Sequence, residues 1–502
     1  MYKIGIDLDN TIINYDEAIK VLSKKKFNYV SKNKNSIKKY IVNKYGEIGW
    51  MKFQGKLYGE FIKFSDVYNG FKNFIIRTHL NDSEIYIISH KTKFGHFDKK
   101  KINLKRVARE FLIEKDILCK RKNKLSIYYK NIFFKNTIEE KIKKINELNL
   151  DVMIDDLPKV IEKLTLSKKM KKILFTNERN KKFDTSFSWL EIGNKIYGQR
   201  NKKEIYFFLK QEFKNFKITY INSGKNNNCF KMYNIKQNQF IKFYKLKIDK
   251  DFDRQIREVN SYKIISKLNL SPRLISYSDT FNYLITEFVN MKSISKLNYS
   301  ILDMILLNLE KISKINQNKI NYLANDNLYN IDHFIINLRL DLNNLKVNDK
   351  SIKSLIDQIN IQIKKTDKCK YLRLQKSNLK FSISDIGIHN MGILSDERIL
   401  FYDFEYSGLD DPIKLMLDFI YCPNNKMTRL QIKYWMLKFY KIFYYDTFIN
   451  RFNSLNELIS IKWKYLIIKH DKNTKSIKKK LSKIDNLLLL TKNFLHENHL
   501  NE

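Results

Sequence analysis

The sequence predicts an α/β domain with a parallel, doubly wound sheet over residues 1–198, followed from residue 199 by a second domain of different design. Three observations predict this. Short apolar runs ending in polar residues alternate with helical stretches in the first part. From about Gly198 the pattern changes to strands in close succession and then an amphipathic helix. The chain has 502 residues, 43% of them hydrophobic and 14% aromatic, which suits about two to four domains with real cores and excludes global disorder.

The first strand is Ile4 to Leu8, running into Asp7-Leu8-Asp9-Asn10-Thr11. The second is Ile85-Tyr86-Ile87-Ile88, ending at Ser89-His90-Lys91-Thr92. Val152-Met153-Ile154 runs into Asp155-Asp156, and Ile173-Leu174-Phe175 into Thr176-Asn177. Helical stretches such as Thr137 to Leu148 separate them. In open parallel sheets ligands sit at the carboxyl ends of the strands, where these polar residues fall.

The residue types suit phosphoryl transfer. One carboxylate can attack phosphorus and form an aspartyl-phosphate. A second, two residues on, can protonate the leaving oxygen and then activate water. A hydroxyl and a lysine can hold the transferring oxygens, and further acids with Mg²⁺ can offset their charge.

With these motifs in this order, residues 1–198 resemble the haloacid-dehalogenase-like (HAD) phosphatases, whose domain is Rossmann-like. Asp7, Asp9 and Thr11 match the DxDx[TV] motif, Ser89 the second motif, and Asp155-Asp156 the acidic fourth. Lys141, fourteen residues before Asp155, fits the third-motif lysine, with Lys135 and Lys144 as alternatives. The resemblance implies that Asp7 is the nucleophile and Asp9 the acid/base. It implies that Asp7, Asp9, Asp155 and Asp156 make up the Mg²⁺ site. The stretch from about 12 to 80 is too long for a simple crossover. It carries helical patterns and Trp50, Phe53, Tyr58, Phe61, Phe64 and Tyr68, which in this family reads as a helical cap closing over substrate.

In the second part, Phe216 to Ile221, Cys229 to Tyr233 and Gln239 to Tyr244 read as strands. The polar run Ser223-Gly224-Lys225-Asn226 makes a flexible tip in a chain with only 13 Gly. Lys242 sits mid-strand among apolar neighbours and wants a partner. Glu258, sixteen residues later on a helix over Asp253 to Leu268, can supply it; Lys245 is the alternative register. Downstream, Asp385-x-x-x-x-Asn390 is followed thirteen residues later by Asp403-Phe404-Glu405, then Asp411-Pro412. Transfer from ATP needs a carboxylate at the acceptor hydroxyl and an amide and an acid on Mg²⁺.

Residues of about 200 to 440 therefore resemble the aminoglycoside phosphotransferase and choline kinase-like branch of the protein-kinase-like fold. That implies an α+β domain with a small lobe at 199–290 and a large lobe at 291–502. It implies Asp385 as base, Asn390 and Asp403 as Mg²⁺ ligands, and Lys242 with Glu258 on the ATP phosphates beside Gly224. Leu284 to Val289 would be the hinge, with Glu287 and Val289 meeting adenine. Two departures stand out. Ile383 replaces a frequent His two residues before the base, and the phosphate loop is rich in Asn and Lys.

The net charge of +42 does not by itself indicate nucleic acid. Of 95 basic residues 81 are Lys and 14 Arg, and a dedicated nucleic-acid face would concentrate Arg. Cys119, Cys229, Cys369 and Cys422 are too scattered for a disulfide framework or zinc site. The beginning of the sequence lacks a signal-peptide pattern, and no apolar run reaches membrane-span length, so a cytoplasmic location is expected. The expected function is bifunctional: phosphate-ester hydrolysis plus ATP-dependent phosphorylation of a small-molecule hydroxyl, on a sugar or amino alcohol. The alternative is a quiet sensor of ATP or a phosphometabolite.

Overall fold

The computed structural model describes residues 1–31, 34–97, 100–121, 125–164, 170–178, 182–221, 227–245, 254–345, 349–365, 374–471 and 473–497. The chain divides into two compact units: Met1–Ile218 with two short later segments, and most of the remainder from Thr219.

The first unit is organised by a six-stranded sheet. Its strands are β1 (Lys3–Ile6), β2 (Glu84–His90), β3 (Ile132–Lys135), β4 (Val152–Asp155), β5 (Lys171–Phe175) and β6 (Asp184–Ser186). Their order is β6-β5-β4-β1-β2-β3, and every pair is parallel. β1 is central and its apolar residues are fully buried, as a strand covered on both faces requires. A side chain at Gly5 would run into Leu150 and Met153, so glycine is needed for the close approach.

The stretch expected to form a cap is α-helical, with α1 (Asp16–Phe27) and α2 (Lys34–Tyr58). α2 is interrupted at Gly46, whose φ of 67° is left-handed and suits glycine. Phe27, Trp50 and Phe53 stack as the core of this region. Helix α3 (Phe71–Leu80) leads into β2, and α4 (Ile138–Glu147) follows β3. Thr137 caps α4 by accepting from the Glu140 N–H. After β6 come α5 (Trp189–Tyr197) and α6 (Lys202–Glu212). Glu204 of α6 is buried against Arg77 of α3 (3.2 Å) and accepts from Asn81 (2.7 Å).

The second unit opens with a five-stranded sheet of β7 (Lys217–Ile221), β8 (Asn227–Tyr233), β9 (Asn238–Tyr244), β10 (Leu274–Ser278) and β11 (Tyr283–Glu287), in the order β7-β8-β9-β11-β10. β9 pairs antiparallel with β8 and with β11. Helix α7 (Arg254–Ile265) lies between β9 and β10 in the chain. The rest is mainly helical. It includes the hairpin β12 (Met391–Ile393) and β13 (Ile399–Phe401), followed by α8 (Pro412–Tyr421), α9 (Arg429–Phe443), α10 (Phe448–His470) and α11 (Thr474–Glu497). Among the described residues no helix is long and apolar enough to cross a membrane.

Candidate functional sites

In the first unit the carboxyl ends of β1, β2 and β4 bring Asp7, Ser89 and Asp155 together, because parallel neighbours end on the same side. Lys141 of α4 is fully buried and donates to Asp7 Oδ1 (2.5 Å) and Asp155 Oδ2 (2.6 Å). Of the three candidate lysines it is the one in the site. Lys144 pairs with Glu147 and lies over the Phe133 ring, and Lys135 is half-buried on β3.

Oxygen atoms of Asp7, Asp155 and Asp156 lie within 4.8 Å of one another. Burial pushes the Asp7 carboxyl well above the usual range, with Lys141 opposing it and Asp155 adding to it. Burial, then the charge of Asp155, push Asp156 up to about 7. Burial works against the Lys141 ammonium, but Asp7 and Asp155 more than offset it. Three crowded acids and one lysine leave an excess of buried negative charge that a hard divalent cation would neutralise.

Ser89 and Thr11 are buried, and their hydroxyl oxygens have no hydrogen-bond partner. Such groups are costly unless something binds them. They and the acidic cluster fit a phosphate with a Mg²⁺ ion.

Asp9 does not join the acidic cluster. Its carboxylate is held by Lys91, at 3.0 Å from Oδ1 and 2.9 Å from Oδ2, and by the Tyr15 hydroxyl at 2.6 Å. Tyr58, at the end of α2, lies over Lys91 at 4.7 Å. Lys34, at the start of α2, donates to Asn10 Oδ1 (2.6 Å). Sequence reasoning assigned no role to Lys91, Tyr15 or Lys34. The period of two along an extended strand, which sets Lys91 on the side of Ser89, was the one signal available for Lys91.

In the second unit Lys242 of β9 is buried. It donates to Glu258 Oε2 and Asp403 Oδ1, both at 2.6 Å, and lies 3.5 Å from Glu405 Oε2. Lys245, the other register, is exposed. Tyr244 also donates to Glu258, at 2.5 Å. Burial pushes Glu258 up to about 7 against the pull of Lys242. Burial likewise opposes the charge on Lys242, but Asp403, Glu258 and Glu405 hold its pKa well above the usual lysine value.

Glu258, Asp403 and Glu405 present oxygens within 4.8 Å of one another. Asp403 is the member open to solvent, its side chain 40% exposed against 1% and 3% for the two glutamates, and its φ is 66°. It is therefore the carboxylate free to turn toward a metal. Glu405 stays on Asn227 (2.8 Å), Arg254 and Lys242.

Asn390 is buried, and its side-chain amide donates to the Asp385 carbonyl (3.0 Å). Its own carbonyl accepts from Tyr402 N–H, one residue before Asp403. Asp385 faces His389, with Oδ2 and Nε2 3.6 Å apart. That contact first, and Cys422 second, push His389 up to about 10. Beneath the loop, buried Lys414 reaches Ser384 Oγ (3.4 Å), Asp410 and Asp418.

At the hinge, Glu287 donates its N–H to the Arg273 carbonyl and accepts from Arg273 N–H, so its own N–H is taken. Val289 lies two residues past the end of β11. Gly224 lies outside the described residues.

No protein-family model and no curated protein matches the chain. Among solved structures it is similar to a choline kinase from Cryptosporidium parvum Iowa II, at 15% identity over 60% of this chain and 98% of that one, with a TM-score of 0.43. It is similar to a choline kinase from Streptococcus pneumoniae at 13% identity, over 57% of this chain and 98% of that one, with a TM-score of 0.42. It is also similar to an ethanolamine kinase from Plasmodium vivax at 17% identity, over 59% and 92%, with a TM-score of 0.41. At such scores the likeness is remote.

Proposed function

We propose that the chain is a bifunctional phosphoryl-transfer enzyme for small molecules, with a phosphatase in the first unit, which runs past the expected boundary at 198 to Ile218, and an ATP-dependent kinase in the second. The observation that carries the reading is common to both units. In each, a buried lysine is gripped by carboxylates drawn from distant parts of the chain, beside polar groups suited to phosphate or Mg²⁺.

In the phosphatase, Asp7 attacks phosphorus while Lys141, Ser89 and Thr11 hold the transferring oxygens. Asp9 protonates the leaving oxygen and then draws a proton from the water that cleaves the aspartyl-phosphate. Asp7, Asp155 and Asp156 are the residues that would hold Mg²⁺, whose charge would offset theirs and that of the phosphate.

In the kinase, Asp385 accepts the proton of the acceptor hydroxyl and Lys242, fixed by Glu258, holds ATP phosphates. Asp403 and Asn390 would hold Mg²⁺. The backbone at Glu287 and Val289 would meet adenine. The substrates are a phosphate ester and an alcohol of the sugar or amino-alcohol class, used as surface-polysaccharide or lipid head-group precursors.

The test uses the whole chain with Mg²⁺. Phosphate release from phosphorylated sugars and amino alcohols and ADP formation with the matching alcohols are followed in parallel. Asp7→Asn is expected to remove the first activity and spare the second, and Asp385→Asn the reverse, each by on the order of 10⁴-fold. Loss of both activities from either change in a folded chain would refute independent sites. ATP binding without turnover across broad panels would favour a sensor.

A further inference from the structure

We infer that Lys91 is a positioning residue for the acid/base Asp9, so that proton delivery to the leaving group depends on it. The inference rests on the phosphatase reading and adds to it a residue no motif supplied.

Lys91 follows β2 directly. Its backbone N–H is fixed to the Lys135 carbonyl at 2.9 Å, and its side chain is 2% exposed. A buried ammonium must be paired, and this one contacts both oxygens of Asp9 almost equally, at 3.0 and 2.9 Å. The Tyr15 hydroxyl takes a third position on the same carboxyl group. The Tyr58 ring covers Lys91 at 4.7 Å and meets the Tyr15 ring edge-on at 5.0 Å. Asp9 is thus oriented by Lys91 and Tyr15, and both are packed under a residue of α2. Lys141 has no such contact; its partners are the nucleophile Asp7 and Asp155. The two buried lysines divide the work, one for the attacking side and one for the leaving side.

The step balances without any further reactant. A bond forms between an Asp7 carboxylate oxygen and phosphorus as the ester P–O bond breaks. The bonding pair leaves on the ester oxygen, which takes a proton from the protonated form of Asp9, and the water that then cleaves the aspartyl-phosphate returns a proton to Asp9. Lys91 keeps its own protons throughout. A group that only orients the acid matters in proportion to how much the leaving oxygen needs a proton.

The test compares phenyl phosphate with 4-nitrophenyl phosphate, two esters of similar shape whose leaving groups differ in basicity. With the full chain and Mg²⁺, Lys91→Met should lower kcat/KM, which covers the steps up to the aspartyl-phosphate, by on the order of 10²-fold on phenyl phosphate, and by less than about tenfold on 4-nitrophenyl phosphate. An equal fall in kcat/KM on both esters at an unchanged melting temperature would overturn the inference. If Lys91→Met does not fold, Tyr15→Phe removes the other donor to Asp9, and the same bias toward phenyl phosphate is expected, to a smaller degree. Absence of wild-type turnover of either ester would instead remove the phosphatase reading, and the Lys91 role with it. Wild-type turnover with unbiased variants would remove the Lys91 role alone.

Discussion

Lys141 and Lys242 are both buried and both gripped by carboxylates, but they are assembled differently. The partners of Lys141 come from two adjacent parallel strands, and the lysine and Asp155 are 0% exposed with Asp7 at 7%. The partners of Lys242 are a buried glutamate on α7, the buried Glu405 at 3.5 Å, and an aspartate after β13 that is 40% exposed. The first site is set by sheet topology and closed by burial. The second keeps one carboxylate open to solvent, which suits the admission and release of nucleotide in the proposed kinase.

Removing each lysine sharpens that contrast. Lys141→Met leaves Asp7 and Asp155 buried without a cation, and should cost about 3–5 kcal/mol of stability in the first unit, read by hydrogen exchange. Lys242→Met should cost clearly less in the second, because Asp403 can turn to water, as Asp7 and Asp155 cannot, and Glu405 keeps Arg254 and Asn227. Equal losses would break the comparison.

A smaller effect is expected from Glu258→Gln. Lys242 keeps Asp403 and the longer contact to Glu405 but loses its closest buried anchor, so KM for ATP should rise by roughly tenfold, with a lesser change in kcat. An unchanged KM would show that Asp403 and Glu405 suffice to position Lys242.

The smallest effect concerns His389. Its pKa in the folded chain lies at about 10 against an ordinary value of 6.5. The folded state therefore binds the extra proton between those values. The stabilisation is complete below 6.5 and is lost as pH rises toward 10. NMR titration should show imidazolium persisting above pH 8, and Asp385→Asn should bring the transition down.

The first site was legible in the sequence because parallel topology turns strand ends into neighbours. Asp7, Ser89 and Asp155 could be placed together from their positions alone. Choosing Lys141 over Lys135 and Lys144 came from motif position, and the buried hydrogen bonds now give a physical reason. The edge strand β6 left no signal, since Asp184-Thr185-Ser186 is polar and mostly unburied. Lys91 and Tyr15 were not readable, because their value depends on Asp9 lying between them, a tertiary fact. In the second site the Lys242–Glu258 pair was legible from a strand and the helix that follows it. The buried share of Glu405, arriving from a distant hairpin to meet Asn227 and Arg254, was not.

Helix α6 bears on how the chain can be cut. Arg77 is buried, and its guanidinium is shared between Asn194 (2.7 Å), the Gly198 carbonyl (2.6 Å) and Glu204. A fragment stopping at Gly198 would strip the anionic partner from that guanidinium and expose the apolar seat of Ile205, Phe208 and Leu209. Such a fragment is expected to aggregate, whereas one extended through Glu212 restores the Glu204 partner of Arg77 and, although Phe208 still loses Phe281, is the better piece in which to test the proposed phosphatase.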